Sequence, residues 1–566
     1  MTSYLKTTDN INQLLQKGFL YHQDGQFNKA QKIYNKLLHE NSKNFNALQL
    51  NATLLFQNKK YKEALSIYEL ALDVNPNFAP LYKNYAAVLK ELKLYDQAIK
   101  SYNKAIELKP DYTEVYVNRG NLFKELNFFY QALNSYDKAI KLEPSVAMLY
   151  NNRGIVLKKL NLFIDSLTSY DKAIELKPDY AMAYKNRGIV LHELRRFDDA
   201  LKSYDQAIQL KPDYASAYNF RGVTLLYLKR FKEALRSYDK AIHLKPNYAD
   251  VILHKAFLKL LLGEYSEGWK LYEFRKKKET LKNNYFLDSK VLKYGTSSIK
   301  GKSILIYSEQ GLGDSLQFCR YLSLLKKLKP KKIILYLDKP LIPLFSEFYN
   351  EIKILEKGKK IPKNIDYYCS LLSLPLLFKT TLNSIPKKIP YLSYNHDKFL
   401  NWKYQLGKKN ATRIGLVWSG SNAHKDDRNR SLLLNKFSSI LQLPFEFHSL
   451  QKEIRDCDIN TLNNFKNLHQ HQNNLNNFSD TAALLNNMDL IISVDTSVVH
   501  LAGAMGKQVW VLLPFIPDFR WMLDLKYSPW YPTAKLFRQT KIDDWNTVIK
   551  KVERELIFLK PNCNLK

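Results

Sequence analysis

Cysteine is scarce, with four in 566 residues (Cys319, Cys369, Cys457 and Cys563) and no Cys-x-x-Cys pair among them. That spacing excludes both a disulfide framework and a zinc ribbon. No apolar run approaches the roughly 20 residues that a bilayer requires, and the opening stretch Met1 to Asn10 lacks the apolar core of a secretory leader. A cytoplasmic chain without a transmembrane segment is expected. Acidic side chains are outnumbered, 54 against 87 basic ones, for a formal net charge of +33. The excess is mostly lysine, scattered rather than clustered, so no nucleic-acid partner is expected, although the field favours anionic ligands. A composition 45% hydrophobic and 25% charged is that of an ordinary globular protein.

What the chain does have is a repeat. Pro76, Pro110, Pro144, Pro178, Pro212 and Pro246 recur every 34 residues, with the intervening residues in register. With the proline counted as position 32, position 8 is small (Gly18, Ala52, Ala86, Gly120, Gly154, Gly188, Gly222). Position 20 is also small (Ala30, Ala64, Ala98, Ala132, Ser166, Ala200, Ala234), and position 24 is always tyrosine, from Tyr34 to Tyr238. Small residues at 8 and 20 let two antiparallel helices approach closely, and the proline stops the second helix. The aromatic at 24 is expected to fill the gap between successive hairpins. The pattern resembles the tetratricopeptide repeat, seven units from residue 11 to 248. Such arrays bury a core only by stacking on neighbours and usually hold partners.

Position 6 is asparagine in four successive repeats: Asn84, Asn118, Asn152 and Asn186. An amide ladder on the first helix either grips an extended peptide backbone, since each amide donates and accepts, or merely solvates an exposed face. It resembles the asparagine-lined superhelix of the O-linked N-acetylglucosamine transferases, which implies a protein or peptide acceptor on the concave face. Asn51 falls one position out of register, and Phe220 replaces the amide in the last full repeat.

Residues 249–302 read as a degenerate capping repeat, with Gly268 and Trp269 placed to dock another domain, followed by a lysine-rich linker. From Ser303 short apolar runs alternate with amphipathic helices. Ser303–Ser308, Lys332–Leu337, Arg413–Trp418, Leu490–Val494 and Gln508–Leu513 are predicted buried parallel strands. The expected fold is therefore an all-α superhelix followed by an α/β region of two doubly wound lobes, 303–400 and 401–566, with ligand between them at the C-terminal strand ends.

Two strand-to-helix turns carry the candidate chemistry. The first contains Gly311, Gly313 and Asp314. Its glycines are expected to let a ligand approach the backbone, and Asp314 is either a helix N-cap or a general base. The second is Asp489 to Gly506, in which a strand delivers Asp495 while Thr496 and Ser497 open a helix, and His500 follows one turn on. Such a helix start holds a diphosphate by its N–H groups and dipole. Between them Lys425, Arg428 and Arg430 lie in a basic loop, which on the residues alone reads equally as a solvated charged one. A third glycine, needed at 316 for a dinucleotide fingerprint, is leucine. Asp456-Cys-Asp458 is set aside as a metal motif, and His469 and His471 read as a polar surface loop.

These turns resemble the GT-B glycosyltransferases of the heptosyltransferase-like class over roughly residues 300–540, and the whole chain resembles bacterial repeat-containing glycosyltransferases. The resemblance implies Asp314 as base. It also implies that Gly311, Gly313, Lys425, Arg428, Arg430, Asp495, Thr496, Ser497 and His500 hold a nucleotide-sugar donor of UDP-N-acetylglucosamine type. Transfer would be inverting, without metal or cofactor, to a hydroxyl acceptor, most simply a protein. The alternatives are a polysaccharide or lipid acceptor, or a noncatalytic interaction scaffold with a nucleotide-sensing domain.

Overall fold

Each proline of the 34-residue series follows the end of a helix. Lys109, just before Pro110, caps the Tyr95–Leu108 helix at φ −142° and ψ 88°, the extended conformation that a following proline imposes. Within the hairpin the two helices are joined by a Schellman turn. Leu94 N–H reaches Leu89 O (2.9 Å) around Lys93 at φ 62°. The corresponding residues Lys59, Asn127, Asn161, Arg195 and Lys229 share this left-handed conformation. The structure is a computed structural model that describes residues 2–277, 291–292, 298–423 and 427–559.

The chain divides into two compact units, Met1–Thr224 and Leu225–Lys566. The first is a stack of helical hairpins. It opens with a 22-residue helix, Thr2–Gln23, which starts nine residues before the expected first repeat. The position-24 tyrosines are buried and reach the next hairpin as expected: Tyr204 stacks on Phe220 with ring centres 6.4 Å apart, and Tyr68 packs with Leu81 and Val88. At Gly18, Gly120, Gly154 and Gly188 the ring also seats against position 8 of its own hairpin, where a Cβ on Gly154 would meet the Tyr170 ring at 2.7 Å. From the Thr113–Glu125 helix to the Ala215–Tyr227 helix, neighbouring hairpins are tied by an arginine of the first helix. Arg153 donates to Asp137 of the preceding hairpin (2.7 Å) and to Ser169 of its own (2.8 Å), and Arg187 does the same with Asp171 (2.6 Å) and Ser203 (2.8 Å). Arg119 takes Asn103 and Ser135 in this register, and Arg221 takes Asp205.

The second unit begins with the end of the Ala215–Tyr227 helix, whereas the repeat pattern placed the boundary after 248. The last repeat helices pack on the α/β region and so belong with it. Lys229 Nζ lies 4.2 Å from the centre of the Phe515 ring, and Asn429 donates to the Tyr227 hydroxyl (3.2 Å). Trp269 is buried among Tyr265, Phe318, Phe519 and Trp530. Gly268 leaves no room for a side chain beside Leu260. Most of the linker, 278–290 and 293–297, lies outside the described residues; Leu292 N–H bonds Tyr368 O at 2.8 Å.

Two parallel sheets follow. β1 (Ser303–Tyr307), β2 (Lys332–Leu337), β3 (Lys353–Glu356) and β4 (Tyr367–Ser370) are ordered β3-β2-β1-β4. β5 (Arg413–Val417), β6 (Glu446–Ser449), β7 (Leu468–Gln470), β8 (Leu490–Val494), β9 (Val509–Leu513) and β10 (Ala534–Arg538) are ordered β10-β9-β8-β5-β6-β7. In the second sheet the order reverses between β5 and β8, and in the first between β1 and β4. Ligands of open parallel sheets sit beyond the carboxyl ends of strands at such reversals. The five predicted strands are β1, β2, β5, β8 and β9.

Two smaller readings change. His469 lies in β7 rather than in a loop, and His471 accepts or donates a 3.0 Å hydrogen bond with buried His448. Asp458 is fully buried and receives Trp418 Nε1 (2.9 Å) and Leu434 N–H (2.8 Å), which makes it an internal capping group.

Candidate functional site

Both candidate turns stand at the strand ends beside the reversals and meet each other. After β1, Gly311 is the N-cap of the Leu312–Phe318 helix. Asp314 is therefore the third helical residue and not the N-cap. Its Oδ2 reaches back to accept Gly311 N–H at 2.8 Å, while Arg520 donates to Oδ1. Gly313 is partly exposed, and its missing side chain also serves the contact between the turns. A Cβ there would fall 2.7 Å from His500 Cδ2 and 3.4 Å from Ser497 Cα, so the glycine exists to let the two turns touch. Gly311 has no such neighbour, its nearest contact being Asp314 Oδ2.

After β8 the chain turns at Asp495. Thr496 is the N-cap of the Ser497–Ala504 helix, but its side chain makes no capping bond. Its hydroxyl instead pairs with Ser493 Oγ at 3.2 Å, so no capping side chain takes the first-turn N–H groups, of which that of Val499 donates to Thr496 O at 3.1 Å. His500 is buried, stacked on Trp521 with ring centres 5.6 Å apart, hydrogen-bonded through Nδ1 to Tyr531 (3.0 Å), with Nε2 3.7 Å from Asp495 Oδ1. Burial, with Arg520, Arg320 and Arg430 nearby, holds its pKa well below the ordinary value, so the ring is neutral. Burial and the neighbouring Asp518 push the Asp495 carboxyl up to about 6. Burial also raises Asp314, against the pull of Arg520.

Of the three basic-loop residues, Arg430 alone is brought to the β8 turn among those described. Its Nη1 donates to Asp495 O at 3.0 Å and its guanidinium lies across Gly420. Arg428 is exposed, and Lys425 lies outside the described residues. Arg455 braces the loop from behind, donating to Gly420 O (2.8 Å) and Asp427 Oδ2 (2.5 Å) beside a pocket of about 210 Å³ lined by Gly420, Asn422, Glu453, Ile454, Arg455 and Asp456.

The sequence leaves the stretch from Pro514 to Trp521, Arg520 within it, open between lining the nucleotide-base or acceptor side and hinge packing. Its side chain is nearly buried and joins Asp314, Asp518 (2.8 Å) and Gln317 into one cluster. A lone arginine between Phe519 and Trp521 in an apolar stretch was the available signal, since a buried guanidinium needs carboxylate partners. Arg275 is a second such case. It lies buried on Glu309 (2.7 Å) and Glu273 (2.7 Å), holding the start of the first turn. Among the described residues no group of three or more His, Cys, Asp or Glu is placed to hold a metal, and no helix is long and apolar enough to cross a membrane.

Known families match the N-terminal half. Models of the tetratricopeptide repeat match residues 21–89, 113–146, 148–180, 181–214 and 215–248, and a TPR repeat model matches 88–127. The N-terminal region is a tetratricopeptide-repeat array. Protein FlbA of Caulobacter vibrioides is 23% identical over 314 residues, 51% of this chain and 52% of FlbA, so the chain spans about half the length of that relative. Among solved structures, YrrB, described as a TPR protein with an unusual peptide-binding site, is 26% identical over 33% of this chain and 97% of its own, with a TM-score of 0.29. A tetratricopeptide repeat protein from Parabacteroides merdae is 18% identical over 47% of this chain and 98% of its own, with a TM-score of 0.36.

On the first helices of the tetratricopeptide array, Asn84, Asn118 and Asn152 are half-buried. Asn186 departs from the ladder. It is buried and donates to Asn151 Oδ1 at 2.9 Å, so its amide is spent within the fold.

Proposed function

We propose that the chain is a glycosyltransferase that takes a nucleotide sugar at the β1 and β8 turns and a protein acceptor on the repeats. The observation that carries this reading is the meeting of the two turns, with Gly313 on His500 and Arg520 on Asp314, at the carboxyl ends of two parallel sheets. The acceptor hydroxyl attacks the anomeric carbon as Asp314 takes its proton; burial makes that carboxylate a stronger base. The nucleotide diphosphate leaves toward the first turn of the Ser497–Ala504 helix and Arg430, which balance its charge without a metal. Inversion follows from a single displacement. The sugar is best matched by an N-acetylglucosamine-type UDP donor, on the resemblance described above.

The test is thermal unfolding with UDP, ADP and GDP and their sugar conjugates, using Asp495→Ala as control. Ligand at about 100 times its Kd adds about 2.7 kcal/mol. One nucleotide is expected to raise the melting point, and to do so only with Asp495 present. Asp314→Asn is expected to lower transfer by orders of magnitude while nucleotide binding persists.

A second reading has its own support. Both Asp314 oxygens are occupied and Gly313 is filled by His500, as in a domain that senses or docks without catalysing. Stabilisation by none of the nucleotides would favour this scaffold. Transfer that persists after removal of residues 1–224 would instead favour a polysaccharide or lipid acceptor.

A further inference from the structure

The first helices of the N-terminal unit carry a charge register that is kept at one end and broken in the middle. Lys83 pairs with Glu114, 31 residues on, at 2.9 Å, and Lys90 pairs with Glu125, 35 residues on, at 2.7 Å. The first offset joins position 5 of one repeat to position 2 of the next, and the second joins position 12 to position 13. Applied to Lys185, the first reaches Ser216; applied to Lys124, the second reaches Lys159. Lys158 reaches Glu193 in that register but makes no ion pair with it and has Lys159 beside it. Lys124 finds only the Asn121 amide (3.2 Å), and Lys185 finds only the face of Tyr214, 5.8 Å away. Three half-buried ammonium groups thus stand one repeat apart or closer with no carboxylate in ion-pair contact among the described residues, Glu193 acting on Lys158 only at longer range. Burial lowers the pKa of all three, Lys185 to about 8 with Lys158 contributing.

Their surroundings suit a peptide. Asn118 and Asn152 offer paired donors and acceptors of the kind a peptide backbone uses. Met148 and Met182, at the register position of Glu114, are exposed at 47% and 45% and adapt to varied side chains. We propose that the face around Lys124, Lys158 and Lys185 binds an extended peptide segment whose acidic side chains replace the missing carboxylates. This deepens the acceptor half of the function proposed above and rests on it for its meaning, but the binding requires no donor or turnover.

The test is fluorescence anisotropy on the full chain without nucleotide, at about 0.15 M salt. The probe is a labelled peptide of about 15 residues, roughly 50 Å extended, built from Glu-Ser-Gly units. Its Gln-Ser-Gly counterpart and an oligothymidylate of similar length serve as comparisons. The Glu peptide is expected to bind at least about tenfold tighter than the Gln peptide. Lys158→Gln and Lys185→Gln are each expected to weaken it about tenfold. Lys202→Gln, on an exposed second helix, is expected to leave it unchanged, and all three variants should keep the helical circular dichroism of the parent. No binding of the Glu peptide, equal binding of both peptides, equal damage from Lys202→Gln, or tighter binding of the oligothymidylate would each overturn the proposal. Peptide binding without any transferase activity would leave it standing and sink the catalytic reading alone.

Discussion

Asp495 shows at one residue what a buried carboxylate costs the fold. An unfolded aspartate titrates near about 3.9, and burial in the β8 turn raises this one to about 6. Between those values the unfolded chain releases a proton that the folded chain retains, so stability falls as pH rises through that window and stays reduced above it. Asp495→Asn removes the titration and is expected to melt higher than the parent at pH 7, with the difference vanishing near pH 4. Lys93 carries a cost of a different kind. Its φ of 62° suits glycine, and a side chain there costs roughly 1 kcal/mol. Lys93→Gly is expected to gain a few tenths of a kcal/mol in urea unfolding, because glycine's greater freedom in the unfolded chain offsets part of the relief.

At the scale of elements, the contact between the Leu312–Phe318 and Ser497–Ala504 helices depends on one missing Cβ. Gly313→Ala is expected to lose about 1–3 kcal/mol by overpacking against His500 and, on the proposed function, nucleotide stabilisation with it. Gly311→Ala, at φ −68°, is expected to be nearly neutral. Thermal melts of the two variants side by side check this. The same scale explains what could be read beforehand. β1, β2, β5, β8 and β9 were legible because strands buried on both faces are continuous apolar runs. β3, β7 and β10 lie at sheet edges, and the Lys353–Glu356 and Leu468–Gln470 strands are too short and polar to show a pattern. Both turns were legible because each is contiguous. The Arg520 to Asp314 pair spans 206 residues and has no local signature. Asn186 shares its register with Asn118 and Asn152, and only its neighbour Asn151, where other repeats have Lys83 or Val117, distinguishes its buried role.

At the scale of the molecule, the repeat pattern and the compact units do not end at the same place. Residues 225–566 are expected to form a fragment with one cooperative transition. Residues 249–566 lose the Lys229 contact with Phe515 and the whole Phe231–Leu244 helix. Thermal unfolding is expected to place that shorter fragment at least several degrees lower. If the proposed function is right, the longer fragment retains nucleotide binding and loses transfer to protein.

The arginine ties of the N-terminal unit reach beyond stability. Each pair is partly exposed and contributes modestly, but the geometry repeats at Arg153 and Arg187, with a carboxylate 16 residues before the arginine and a hydroxyl 16 after it, and Arg119 keeps the spacing with the Asn103 amide in the carboxylate's place. A 34-residue segment copied or excised in frame therefore presents matching halves at both new junctions. The gene for such a protein can lengthen or shorten its product by whole units without stranding a charge, so reach can vary among descendants while the joint between any two units stays the same.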